Sequence, residues 1–427
     1  MDKNFSFDTI AVHGGYETDP TTHSVTVPLY QTNAYAFDST EHAKKLFELK
    51  ESGNIYSRLG NPTVDALERR VCLMEGGSAA VAFASGHAAI FHTIVNLCDA
   101  GDEIVASNAI YGGAINLLGV TFDRLGIQVR FVNPDDFDAW EASINDKTRA
   151  LFFEVVGNPN ANVADISRIA EIGHKHGLPV IADSTFTTPY LCRPIEFGAD
   201  IVIHSATKFM DGHSNAMAGI VVDSGKFTFK GNDRFPHYNE PDTSYHGVVF
   251  ADLGPVAFAS RLRALVLRDV GGCLSPFNAY MVIQGLETLS LRMQRHCENA
   301  MKVASFLAAH PMVESVSYPG LASSPYHGLM EKYFPKGAGA VFTFILKGGR
   351  DVAAKFIDSL ELLQNVANVG DVRSQVSHPA TTTHSQLSAQ QLQDVGITEG
   401  TIRLSIGIED IDDILADFSQ AFEKAAR

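Results

Sequence analysis

Short apolar runs alternate with helical stretches through the first half of this chain, and that alternation limits its fold more than any other feature. The runs fall at 79–84, 103–107, 128–132, 149–155, 179–183, 200–204 and 218–222, with helical candidates such as 65–74, 87–98 and 166–176. Strands that are apolar throughout are buried on both faces. The pattern therefore predicts an α/β architecture, a parallel or mixed seven-stranded sheet with helices on each side. In such sheets ligands bind just outside the C-terminal ends of the strands.

A chain of 427 residues is too long for one hydrophobic core, so unequal domains are expected. Residues 1–60 look irregular, with turn signals such as His13-Gly14-Gly15, and read as an arm that packs on its own body or reaches a neighbouring subunit. Residues 61–285 make the large domain. Within it, 226–254 is an aromatic, Pro- and Asp-rich segment (Phe235-Pro-His-Tyr-Asn-Glu-Pro-Asp-Thr-Ser-Tyr245) that reads as a lid or an oligomer contact. One long helical tract at 276–309 leads into a smaller C-terminal α/β domain, 286–427, with strands at 340–346 and 401–406 and helices at 352–359 and 410–425.

The net charge of −16 argues against a nucleic-acid partner. No apolar run approaches the length of a membrane span, and Met1-Asp-Lys-Asn-Phe-Ser-Phe-Asp lacks the apolar core of a secretory leader. Five cysteines (Cys72, Cys98, Cys192, Cys273, Cys297), odd in number and without a C-x-x-C pair, suit reduced thiols in a cytoplasmic protein. They read as small buried apolar side chains before they read as nucleophiles. The 16 histidines show no H-E-x-x-H spacing, and no metal is expected.

The chemistry concentrates after the strand at 200–204. His204-Ser-Ala-Thr-Lys208 places a lysine just past two hydroxyls. Such a lysine can form a Schiff base with an aldehyde cofactor while Ser205 and Thr207 bond its phosphate. Alone, the string reads equally as a solvated lysine. The strand at 179–183 adds an independent partner, because it ends in Asp183. A carboxylate at a buried strand tip can pair with a pyridinium nitrogen and keep the ring an electron sink. Lysine and acid together point to pyridoxal phosphate (PLP).

Other strand ends fit the same ligand. Ser85-Gly86-His87 opens a helix whose first N–H groups suit a phosphate, although an ordinary strand–helix turn would look alike. Tyr111-Gly-Gly113 can lay a ring over a pyridine, or simply pack. Tyr56-Ser-Arg58 offers a hydroxyl and a planar fork for phosphate, placed where it could serve a partner's site; the rival is a surface arginine. Asn158, at a strand tip, could bond the cofactor's ring oxygen, or mark a turn with Pro159. Arg403 lies inside an apolar strand pattern, so a substrate α-carboxylate or a salt bridge to Glu409 or Asp410 must offset its burial.

Taken in order, these motifs resemble the Cys/Met-metabolism PLP enzymes, the γ-family of PLP-dependent transferase fold type I (aspartate-aminotransferase-like). The resemblance runs from Thr9-Ile-Ala-Val-His-Gly-Gly15 through Tyr56-Ser-Arg58, Ser85-Gly86, Tyr111-Gly-Gly113, Asp183-Ser-Thr185 and Ser205-Ala-Thr-Lys208 to Arg403. Within the family it leans toward the O-acetylhomoserine sulfhydrylase branch. The pointers are Glu240-Pro-Asp-Thr-Ser-Tyr-His-Gly247, Leu274-Ser-Pro-Phe-Asn-Ala279, Gln284-Gly-Leu-Glu-Thr-Leu-Ser-Leu-Arg292, Asn368-Val-Gly-Asp371 and His378-Pro-Ala-Thr-Thr-Thr-His-Ser-Gln-Leu387. Methionine γ-lyases carry a cysteine where this chain has Gly113.

The resemblance implies that Lys208 carries the cofactor and, with Tyr111, moves protons. Asp183 would pair with the ring nitrogen beside Thr185, Tyr111 would stack on the ring, and Asn158 would bond its oxygen. Gly86, His87, Ser205 and Thr207 would hold the phosphate, joined by Tyr56 and Arg58 of a neighbouring subunit. Arg403 and the main chain near Asn368 would grip the substrate carboxylate. The implied reaction is γ-replacement on O-acetylhomoserine, with homocysteine (or methionine) and acetate as products, in methionine biosynthesis. Sulfide, methanethiol or a thiocarboxylate on a small carrier protein would be the donor. Cystathionine γ-synthase and methionine or cystathionine γ-lyase activities are the alternatives, and a non-catalytic scaffold is the rival of another class. A homodimer is the implied minimum and a homotetramer the family norm. Two positions depart from the family: His87 stands where methionine is usual, and Ser184 where asparagine is common.

Overall fold

The computed structural model describes residues 5–48, 50–382, 392 and 396–427. All seven apolar runs are strands of one sheet: β1 (Ala79–Phe83), β2 (Glu103–Ser107), β3 (Gln128–Val132), β4 (Thr148–Glu154), β5 (Val180–Asp183), β6 (Ile201–His204) and β7 (Gly219–Asp223). Their order is β1-β7-β6-β5-β4-β2-β3, and β7 runs antiparallel to both its neighbours while the remaining pairs are parallel. Burial explains the apolar runs. Leu151, Phe153, Val180, Ala182 and Val202 point to one face, where the helices Pro62–Glu75 and Ile166–Lys175 cover them. Phe152, Ile181, Ile201 and Ile203 point to the other, under the helix Gly86–Leu97. Each fully buried side chain of this size contributes roughly 1.5–3 kcal/mol, which leaves little freedom for the strands to slip.

Local signals place the helices. Asn61 caps the helix Pro62–Glu75 by accepting from the Thr63 N–H at 3.0 Å; Pro62 sits in its first turn, and Gly76 ends it at φ 75°.

The smaller domain holds a second sheet: β8 (Val313–Ser317), β9 (Val341–Leu346), β10 (Gln364–Asn365), β11 (Gln375–Ser377) and β12 (Thr401–Ser405), in the order β10-β11-β12-β9-β8. The helices Gly349–Ser359 and Ile411–Ala425 pack together beside it through Phe356, Phe418 and Phe422. The apolar cluster on one face of the large sheet continues into this domain, so the sheets are joined by core.

Three expectations need correction. The tract 276–309 is two helices, Pro276–Glu287 and Leu289–Ala309, broken at Thr288 (φ −112°, ψ 10°). The arm is not irregular throughout, since Phe7–His13 and Thr40–Phe47 are helical and Ile10 and Ala11 join the core. The segment 226–254 does not line its own chain's catalytic pocket as a lid would, since Phe229, Phe235, Tyr238 and Phe250 are buried in the large domain; this leaves the oligomer-contact alternative standing. Of the cysteines, Cys98, Cys192 and Cys297 are buried and Cys273 is exposed. Among the described residues no helix is long and apolar enough to cross a membrane. The run ending at Leu387 reaches residues 383–387, which lie outside the described residues.

Candidate active site

Glu154 closes β4, Asp183 closes β5, and the chain leaving β6 turns through Ser205 to Lys208. Together they line a cavity of about 200 Å3 with Gly86, His87, Tyr111, Asn158, Thr185, Thr207, Asn368 and Arg403. Every expected site residue converges here except Tyr56 and Arg58. Those two stay on the arm, where Arg58 donates to the Arg268 carbonyl at 2.8 Å and lies 5.0 Å over the Tyr56 ring.

Lys208 Nζ donates to Asn368 Oδ1 at 2.5 Å. Burial first, and then the charge on Arg403, push its amine down to about 8. A substantial share of the amine is then neutral near physiological pH, as a nucleophile or base requires.

Asp183 and Glu154 are direct partners across β4 and β5. Burial pushes both carboxyls up, and the charge on Asp183 adds to the rise at Glu154. Thr185 opposes the rise at Asp183, donating its N–H at 3.0 Å and its hydroxyl at 2.5 Å to Oδ1; the charges of His204 and His87 oppose it further. The ionisation of one of two adjacent half-buried carboxyls disfavours that of the other; Glu154 is pushed up further, and the Thr185 bonds favour Asp183 as the one that carries charge. Asp183 Oδ2 accepts no hydrogen bond among the described residues, so an acceptor remains for a cation.

Ser85 caps the helix Gly86–Leu97 by accepting from the Ala88 N–H at 3.1 Å, leaving the N–H groups of Gly86 and His87 for an anion. A Cβ at position 86 would come within 2.7 Å of Ser205 Cβ, so only glycine lets the helix start close on the lysine turn. Thr207 also lines the cavity, but its hydroxyl is engaged with Ala218, accepting from the N–H at 3.0 Å and donating to the carbonyl at 3.2 Å.

The Tyr111 N–H donates to Glu154 Oε1 at 2.8 Å, and its ring meets His87 edge-on at 5.7 Å. A Cβ on Gly113 would lie 2.5 Å from the Tyr111 ring and 3.0 Å from His87 Nε2. Arg403 is 3% exposed and donates to Asn158 Oδ1 at 3.2 Å and, at 3.4 Å, to the Asn368 carbonyl. The salt-bridge rival fails. Glu409 accepts from the Ser374 N–H and hydroxyl, and Asp410 accepts from the Asp412 N–H. Burial pushes Arg403 down to about 10. A buried guanidinium with no carboxylate partner is costly, and a bound anion would offset that cost.

The Ser184 departure also has a local account, since its hydroxyl bonds that of Thr187 at 2.5 Å and not the cavity. Glu154 escapes a sequence reading aimed at the lysine, although its signal, an apolar run ending in an acid, is the one that revealed Asp183. A larger hollow of about 920 Å3 lies between residues 52–55 of the arm and Tyr245. Two of its charged residues, buried Glu68 and half-buried Arg263, pair with each other.

The family model of the Cys/Met metabolism PLP-dependent enzymes matches residues 8–423. The chain belongs to that family. An O-acetyl-L-homoserine sulfhydrylase of Leptospira meyeri is 48% identical over 433 residues, covering 99% of this chain and 98% of the relative. The enzyme of the same name from Corynebacterium glutamicum is 49% identical over 423 residues, covering 98% and 97%. A solved Campylobacter jejuni structure, described as an O-acetylhomoserine (thiol)-lyase with N'-pyridoxyl-lysine-5'-monophosphate, matches with a TM-score of 0.96 at 44% identity over 98% of this chain and 100% of that one.

Like the rest of the family, this chain is a PLP-dependent enzyme, and its own residues fit that cofactor. The cavity offers an amine on Lys208, an open acceptor on half-buried Asp183, and helix N–H groups without a partner among the described residues, in a cradle that a Cβ on Gly86 would fill.

Proposed function

We propose that this chain catalyses γ-replacement, converting O-acetylhomoserine and sulfide to homocysteine and acetate. The observation that carries the reading is Arg403, a buried guanidinium without a carboxylate partner among the described residues, in the same cavity as the Lys208 amine. That pairing suits an α-amino acid held by its carboxylate over a proton-transferring amine. The name shared by the two relatives supports the acetyl ester and the sulfur nucleophile. Gly113 supports replacement over elimination, because the Tyr111 ring occupies the space a cysteine there would need.

PLP, when bound, supplies the electron sink. The protein's part is to bind, orient and move protons. Asp183, held by Thr185, would carry the charge that pairs with the ring nitrogen. Gly86, His87 and Ser205 would hold the phosphate, joined by Thr207 once its hydroxyl turns from the Ala218 carbonyl, and by Tyr56 and Arg58 of a second copy. Tyr111 would pack against the ring and assist proton transfer, Asn158 would bond the ring oxygen, and Arg403 with the Asn368 main chain would grip the carboxylate. Lys208 would take the Cα proton and then a Cβ proton, acetate would leave Cγ with the electrons of its C–O bond, sulfide would add at Cγ, and protons would return to Cβ and Cα.

Because Tyr56 and Arg58 lie away from their own cavity, the complete site is that of a homodimer, with the homotetramer as the expected assembly. The enzyme works in the cytoplasm, in methionine biosynthesis. Methanethiol, giving methionine, or the thiocarboxylate of a small carrier protein are alternative donors.

The test is a product assay on PLP-loaded protein given O-acetylhomoserine with and without sulfide. Homocysteine and acetate should appear only with sulfide. Release of 2-oxobutyrate and ammonia regardless of sulfide would assign a lyase instead.

A further inference from the structure

The lysine amine is held by a hydrogen-bond chain that runs well beyond its first partner. Lys208 Nζ donates to Asn368 Oδ1 at 2.5 Å, Asn368 Nδ2 donates to Ser214 Oγ at 3.0 Å, and the Ser214 hydroxyl donates to Asp371 Oδ2. Asp371 is buried, and Arg373 anchors it with its N–H at 2.8 Å and its guanidinium at 3.1 and 3.2 Å.

The sense of this chain is set at its far end. An ionised carboxylate can only accept, so the Ser214 proton points to Asp371. The serine lone pairs then face Asn368, which must offer its NH2 there and its carbonyl oxygen to the lysine. Without that constraint the amide could sit either way round. The backbone is committed to the same contact. Ser214 is held at φ 55°, where a serine is seldom found, and a Cβ on Gly370 would come within 3.1 Å of Lys208 Cβ.

We propose that Asn368, oriented by Ser214 and Asp371, is a positioning residue that holds the Lys208 amine, lone pair free, whenever substrate has taken its place on the cofactor. This rests on the γ-replacement reading. One N–H given to Asn368 leaves a neutral amine's lone pair for the Cα proton; that proton moves to Nζ and the electron pair stays with the substrate. Arg403 on β12 is the charged group that disfavours protonation of the amine, and Asp183, Glu154, His87 and Tyr111 are the other titratable groups lining the cavity.

Two variants test this. When apoprotein is mixed with PLP, the rate at which bound-cofactor absorbance appears should rise with pH as Nζ loses its proton. Asn368→Asp puts a carboxylate against the amine and should move the midpoint of that profile up by about one unit or more. Ser214→Gly removes the hydroxyl while relieving the left-handed backbone. It should lower kcat about tenfold with KM little changed. An unmoved midpoint in the first variant, or an unchanged kcat in the second, overturns the proposal while leaving γ-replacement standing. Wild-type protein that makes no homocysteine from O-acetylhomoserine and sulfide would instead sink the functional reading, and this inference with it.

Discussion

Around the ends of β4, β5 and β6, the cavity gathers polar groups with bonding capacity left over. Half-buried Asp183 keeps an open acceptor oxygen, buried Arg403 on β12 has no carboxylate partner among the described residues, and burial lowers the pKa of Lys208. The segment 226–254, on the same domain, is built the opposite way. Phe229 and Tyr238 stack at 4.0 Å and 10°, Phe235 closes on both, and the Tyr238 hydroxyl accepts from Asn96 at 2.8 Å under the Arg261 guanidinium. Its one orphaned buried side-chain atom among the described residues is His237 Nε2, on a ring that burial pushes down to about 4 and so keeps neutral. What sets the cavity apart is that its charged groups keep bonding capacity facing an open space. Aromatic density and loop length mark packing.

That contrast can be broken from either side. Lys208→Ala should abolish the cofactor absorbance and cut turnover by about a thousandfold or more, because both the covalent anchor and the proton carrier are lost. A retained band would remove Lys208 from the site. Tyr238→Ala should cost about 3–5 kcal/mol in denaturant unfolding, while the folded fraction keeps its PLP uptake and KM. Lost uptake in folded protein would make the segment a lid after all. Arg403→Ala should raise KM for the amino acid by about 10- to 100-fold, with kcat less affected, as loss of a charge-assisted pair does. An unaltered KM would return Arg403 to a structural role. Tyr238→Phe, the mildest change, should cost about 1 kcal/mol through the lost bond from Asn96 and leave catalysis untouched.

The strands of the large sheet are legible in the sequence because each is apolar on both faces. β8 is not, since Glu314 and Ser315 in Val313–Ser317 are exposed and blur the pattern. β10 is two exposed residues, Gln364–Asn365, with no pattern to read. The break at Thr288 carries no glycine or proline at that position, so the tract looks continuous. Lys208, Asp183 and the Gly86 turn are legible because strand tips are predictable from strands. Asn368 as a side-chain partner of the lysine is not, since that contact joins residues 160 positions apart. Nor does Arg403 reveal from sequence which of its two readings holds; the engagement of Glu409 with Ser374 decides it.

The central claim is that the turn after β6 carries the reactive lysine of a PLP enzyme. Reducing PLP-loaded protein with borohydride and mapping the modified peptide by mass spectrometry tests it most directly. The account predicts one stable pyridoxyl adduct, on Lys208. An adduct on another lysine, or none in protein that is folded and has been offered PLP, would contradict it.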